Sequence, residues 1–212
     1  MIEKRGQYMI EPNTIDKLKN FSDNRKDSGY QLEPLSGISP SVIIFGEKHT
    51  DNTERKDQKD LIKNLGLANF VLLAEDEGYF TSWKGKYGCE EVTLCDLEKG
   101  DKDKKQRELL RRYLTAQDLE KYDFAFETDH LFGICAENYP DLKLKQQFND
   151  AREKEMGEII RSNHSRESSK PIVVIIGHYH AREDSEVHKI LEKEKIDHIC
   201  IWNKKAVKEF IW

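Results

Sequence analysis

Two short segments far apart in the chain, Gly46-Glu47-Lys48-His49 and Gly177-His178-Tyr179-His180, each set a histidine three residues after a glycine, and each directly follows an apolar run. Carboxylates take the same position twice more: Glu75 follows Phe-Val-Leu-Leu-Ala and Glu137 follows Leu-Phe-Gly-Ile-Cys-Ala. Imidazoles and carboxylates gathered in one place suit two chemistries. They can ligate a divalent metal and acidify its water, or they can act without metal as a general acid/base pair. The candidate catalytic residues are therefore Glu47, His49, Glu75, Arg152 and His180, with Glu47, His49, Glu75 and His180 as the possible metal ligands. Glu137 and His178 are candidates for contacting substrate.

Arg152 enters for an electrostatic reason. It lies between Phe148 and Met156 at a spacing of four, in the middle of an apolar helical face. An unpaired charge there is costly, so a carboxylate (Glu47, Glu75 or Glu137) or a substrate anion should face it. Each signal alone has a plainer explanation: a capping histidine, a first-turn acid, a long side chain reaching water. Their convergence on the ends of separate apolar runs is what makes a site the expectation.

The elements that must position these residues are short continuous apolar runs, as in strands buried on both faces, alternating with helical segments. Val42 opens the first strand, Phe70–Ala74 is the second, 131–136 the third, the run opening at Pro171 and ending before Gly177 the fourth, and 196–202 the last. Helices are expected up to Leu65, from Leu142 to about Asn163, and from Ser185 to Lys195, with Gly66 ending the first. This predicts an α/β fold with a mainly parallel sheet flanked by helices, in which ligands bind at the strands' carboxyl ends. Residues 1–40 read as an N-terminal extension, with Asn13-Thr14 as a possible helix cap. Residues 41–212 read as one domain, and 76–128 as a helical insertion or cap between the second and third strands.

Composition limits the function classes. The 212 residues are 37% hydrophobic and 35% charged, with a formal charge of −5, so nucleic acid is not the expected partner. No apolar stretch reaches the ~20 residues needed to cross a bilayer, and the N-terminal residues do not read as a secretory signal. The expectation is a cytoplasmic protein with reduced thiols, not bound to membrane, acting on a small-molecule or peptide substrate. Cys135 and Cys200 read as reduced core residues, while Cys89 and Cys95 could pair or hold a metal, although their spacing is not that of a zinc knuckle. His130, His164, His188 and His198 read as surface or loop residues.

Taken in order, GEKH (Gly46–His49), LLAE (Leu72–Glu75), AREKEM (Ala151–Met156) and GHYH (Gly177–His180) resemble the EreA/ChaN-like and TraB-like superfamily, over about residues 41–202. The resemblance implies a common fold with divergent activities. Macrolide esterases open a lactone with a histidine-activated water. TIKI-type proteins are peptidases that depend on a divalent metal such as Mn, Co or Zn. Haem-uptake lipoproteins bind haem. This chain has no lipoprotein signal and is shorter than the esterases, so neither haem uptake nor a macrolide-sized substrate is expected. The expected function is hydrolysis of an ester or amide bond. The alternative is a metal-, haem- or small-anion-binding protein without turnover.

Overall fold

The computed structural model describes residues 10–34, 40–48, 51–75, 80–94, 142–167 and 169–211. His49, Glu137, Cys95, Cys135, His130 and the strand expected at 131–136 lie outside them. The described elements run α1 (Pro12–Asp23), β1 (Tyr30–Pro34), β2 (Val42–Glu47), α2 (Asn52–Leu65), β3 (Phe70–Ala74), β4 (Cys89–Leu94), α3 (Leu142–Arg166), β5 (Ile172–Gly177), α4 (Glu186–Lys193), β6 (His198–Asn203) and α5 (Lys204–Ile211).

The strands form one sheet of order β1-β6-β2-β5-β3-β4, parallel except for β1, which runs antiparallel to β6. This is the α/β fold expected. From β2 the chain moves to β3 and β4, then returns to place β5 beside β2 and β6 beyond it. Right-handed crossovers put helices of opposite travel on opposite faces. Accordingly Leu61, Ile62 and Leu65 of α2 pack with Ile43, Phe45, Leu72, Val173 and Ile175 on one face, joined by Leu18 and Phe21 of α1. Met156 and Ile160 of α3 and Val187 and Leu191 of α4 cover Val42, Ile44, Leu73, Val174 and Ile176 on the other. Burying each such side chain contributes roughly 1.5–3 kcal/mol.

Three expectations change. Tyr30–Pro34, assigned to an extension, is an edge strand of the sheet. The α1 cap is Glu11 followed by Pro12, with no side-chain bond from Asn13 or Thr14, because proline preorganises the first turn without needing a donor. Within the supposed helical insertion, Cys89–Leu94 pairs in parallel with β3. Gly88 makes that return possible: it has φ +84°, and a Cβ there would collide with the Leu67 carbonyl. Asp51 caps α2 by accepting from the Thr53 and Glu54 amides, and Gly66 ends it in the left-handed region at φ 72°. Among the described residues no helix is long and apolar enough to cross a membrane, and Cys89 and Cys200 are buried free thiols.

His188 and His198, expected at the surface, are 1% and 0% exposed. Their rings stack at 20°, with His188 Nδ1 and His198 Nε2 2.9 Å apart. His188 Nε2 donates to the Ala181 carbonyl at 3.1 Å and His198 Nδ1 to that of Ile196 at 2.8 Å. Two neutral rings carry only two N–H protons for these three contacts, and burial opposes a third. Burial and the neighbouring His198 push His188 down to about 4, and burial pushes His198 down as well. Glu153 and Arg182 face His188, and Glu192 and Asp197 face His198, without reversing the direction.

Gly46 has no room for a side chain, since a Cβ would run into His178 Nδ1 and the Trp202 Cβ. Gly46→Ala is expected to lower stability by about 1–3 kcal/mol in urea titrations, the usual effect of overpacking a filled interior. The buried histidines generate a pH dependence. Their folded pKa values lie below the unfolded value of about 6.5, so their contribution is intact above that pH and is lost as pH falls toward 4. Urea midpoints should drop between pH 7 and pH 5, and His188→Gln/His198→Gln should flatten the slope. An unchanged slope in that variant would remove the pair as its source.

Candidate functional site

The carboxyl ends of β2, β5 and β3 lie side by side: Glu47 is in register with Gly177, and the Glu75 amide donates to the Ile175 carbonyl at 2.9 Å. Side-chain alternation then divides the candidates. Glu47 follows Ile43 and Phe45 and turns to the α2 face, whereas Glu75 follows Val71 and Leu73 and turns to the α3 face. The cluster expected along one edge is thus split across the sheet.

On the α2 side, Glu47 Oε1 meets Arg55 Nη2 at 2.9 Å, both side chains being buried. Gln58 Nε2 donates to the Gly46 carbonyl. His178 has both ring nitrogens engaged. Its Nδ1 accepts from the Asn203 amide at 3.1 Å, so its proton sits on Nε2 and is donated to Glu54 Oε1 at 2.7 Å. Glu54 also accepts from the Tyr30 hydroxyl and from the Lys48 amide. Burial of Glu54 favours its neutral form, but the hydrogen bonds from His178, Tyr30 and the Lys48 amide outweigh it, holding the carboxyl below its ordinary value. Burial, reinforced by Glu54, pushes the Tyr30 phenol up and keeps it a donor. His178 therefore ties β5 to β1, α2 and β6.

On the α3 side the groups form a continuous polar chain. Arg152 Nη2 lies 2.8 Å from Glu75 Oε1, so of the three carboxylates proposed to face Arg152, Glu75 does. Glu75 Oε2 accepts from the Gly177 amide at 2.6 Å. Glu75 Oε1 stands 4.0 Å from His180 Nε2, beyond direct hydrogen bonding. His180 Nδ1 is 3.1 Å from Glu153 Oε1. The same oxygen takes Arg182 Nη1 at 2.5 Å, while Oε2 accepts from the Glu186 amide at 2.9 Å. Burial alone would raise the pKa of Glu153. The His180 hydrogen bond, the Arg182 guanidinium and the Glu186 amide outweigh it and hold the carboxyl below its ordinary value. An ionised carboxylate only accepts, so the contact with Glu153 places a proton on His180 Nδ1, and Nε2 is the ring nitrogen that faces Glu75. Exposure rises along the chain, from 0% at the Glu153 side chain and 4% at His180 to 10% at Glu75 and 14% at Arg152.

Sequence reasoning left out Glu153, Arg182, Arg55 and Glu54. Glu153 was findable: a helical face through Phe148, Arg152 and Met156 also takes in the positions next to them, 149 and 153. The other three were not, because they depend on which helix faces which strand end.

The described donors do not fit a divalent metal. Both Glu75 oxygens already accept bonds, the Arg152 cation lies against one of them, and Glu47 is engaged on the other face. Among the described residues no group of three or more His, Cys, Asp or Glu side chains could hold a metal ion. His49, named as a ligand, is outside them. Compared with protein-family models, with curated proteins and with solved structures, the chain has no match.

Proposed function

We propose that this chain hydrolyses an ester or amide bond, with His180 as the general base and Glu153 as the group that orients it. The observation supporting this reading is the Glu153–His180 contact of 3.1 Å, which in the neutral ring leaves Nε2 as a lone pair 4.0 Å from the Glu75 carboxylate. Acceptors so spaced can share one water: with bonds of ~2.8 Å to each, the angle at the water is about 90°, near its own H–O–H angle. Both its protons are then held, and its lone pairs turn away toward a substrate carbonyl.

In the reaction His180 Nε2 takes one water proton as the oxygen attacks the carbonyl carbon. It returns that proton to the departing alcohol or amine as the C–O or C–N bond breaks. The second water proton stays with the new carboxyl group and leaves as that group ionises. The imidazolium formed in between is stabilised by the buried Glu153 carboxylate. Arg152, held beside Glu75, supplies positive charge near the developing oxyanion. The order of the four motifs, which resembles the EreA/ChaN-like and TraB-like superfamily, points toward the same chemistry.

Hydrolysis of p-nitrophenyl esters and p-nitroanilides by the wild type should be measurable. His180→Asn and Glu153→Gln should lower kcat by ~10²–10⁴ with little change in KM, the usual loss when a positioned base is removed or misoriented. Lys193→Ala, at the exposed end of α4, serves as a folded control. Glu153→Asp should recover part of the activity lost in Glu153→Gln if orientation of the imidazole is the role. Equal kcat in the wild type and both variants, or anion binding without any turnover, would overturn the reading.

A further inference from the structure

The first half of α3 buries polar residues where its second half buries Met156 and Ile160. Asn149 stands out among them. It is 1% exposed, and among the described residues neither its Nδ2 nor its Oδ1 has a hydrogen-bond partner. Its place on the helix is fixed by its neighbours. Three residues earlier, Gln146 Oε1 accepts from the Tyr179 hydroxyl at 2.7 Å. Three residues later Arg152 pairs with Glu75, and four later Glu153 holds His180. Residues three and four apart on a helix are surface neighbours. Asn149 therefore lies between the two lines of contact through which α3 grips the segment carrying His180.

A buried amide with neither end satisfied is rare in folded proteins and calls for an explanation. Its donor and acceptor lie side by side in one plane. The ligand that satisfies both at once offers the mirror arrangement, a C=O with an N–H on the same side. Primary carboxamides and lactams have it. Esters and lactones, with two acceptors and no donor, would leave Oδ1 unpaired. We propose that Asn149 is a substrate-binding residue that selects a primary carboxamide or a lactam, so that the site is built for cis-presented amides instead of esters. This narrows the substrate class within the hydrolase reading above and rests on it.

The test uses an isosteric pair that exchanges N–H for O, 2-pyrrolidone with γ-butyrolactone, and a matched pair that exchanges NH₂ for OCH₃, acetamide with methyl acetate. Binding is followed by chemical-shift titration of the full chain. The wild type should bind the nitrogen compound at least ~10-fold more tightly, since a site that pairs an N–H discriminates against the analogue lacking it. A preference for 2-pyrrolidone alone assigns the site to lactams, and one for acetamide alone to carboxamides. Asn149→Leu and Asn149→Asp should each abolish the preference, the second preserving shape and an acceptor while losing the donor. Without ligand, Asn149→Leu should melt at or above the wild-type temperature, because two unsatisfied groups are removed. Equal binding within both pairs, a preference unchanged in both variants, or a lower Tm for Asn149→Leu would overturn the assignment. Because these readouts need no turnover, an inactive protein that keeps the preference refutes the hydrolase reading and leaves Asn149 as an amide-binding residue.

Discussion

The carboxylate of Glu153 is carried by the middle of a helix into the interior, and the α3 side of the molecule is arranged around keeping it ionised. Its side chain is 0% exposed, yet three donors from separate places converge on it: His180 Nδ1, Arg182 Nη1 and the Glu186 amide. Removing one partner of such a buried charge typically costs about 3–5 kcal/mol, because the remaining charge is stranded. One side chain thereby fixes the distance from α3 to the turn after β5, the imidazole's tautomer and the start of α4. Arg182 is held a second way, its guanidinium lying 4.0 Å from the centre of the Tyr179 ring.

Among the described residues each face of the sheet carries such an anchor. Glu47–Arg55 fastens α2 to the end of β2, and Glu153–Arg182 fastens α3 to the turn after β5. The division follows from chain direction. Strands added toward β4 bring their crossover helix to one face, and strands added back toward β6 bring theirs to the other. Residues two apart on the turn after β5 nevertheless serve different faces. His178 reaches Glu54 of α2 while His180 reaches Glu153 of α3. A repeated Gly-x-x-His spacing looks like duplication of one role in sequence, yet within this turn the histidines part company: one is hydrogen-bonded at both nitrogens, and the other is bonded at Nδ1 and turns Nε2 toward Glu75 at 4.0 Å.

Strand positions were legible because a strand buried on both faces is a continuous apolar run, and β2, β3 and β5 are of that kind. Helix ends were legible where chemistry marks them, as at Gly66, whereas which of residues 50–53 caps the start of α2 was not. Less was visible at the sheet's edges. β1 and β4 are short and mix polar with apolar residues, with Glu33 and a proline in one and Glu90-Glu91 in the other, and such strands resemble loops. The site was legible in its carboxylates and histidines but not in their pairing. That Arg152 needs a counter-charge followed from one helical face, and that the charge is Glu75 followed only from the order of β5 and β3. His188 and His198 were misread for a related reason: a histidine in a polar-looking stretch says nothing of the neighbours that bury it.

The composition of α3 sets its stable half against its chemical half. Met156 and Ile160 pack against the strands, as an amphipathic helix should, while one to three turns earlier the same face carries Lys145, Asn149 and Glu153, all buried. Apolar residues at those positions would satisfy the packing rule and spare the desolvation of two charges and an amide. Stability alone does not account for the choice. Because α3 runs antiparallel to β5, its first half reaches past the apolar strand bodies to their carboxyl ends, where the backbone turns and Glu75 and His180 emerge. A helix that ended with its apolar contacts would leave those groups to water. The polar overhang is what converts a strand end into an enclosed, oriented set of donors and acceptors.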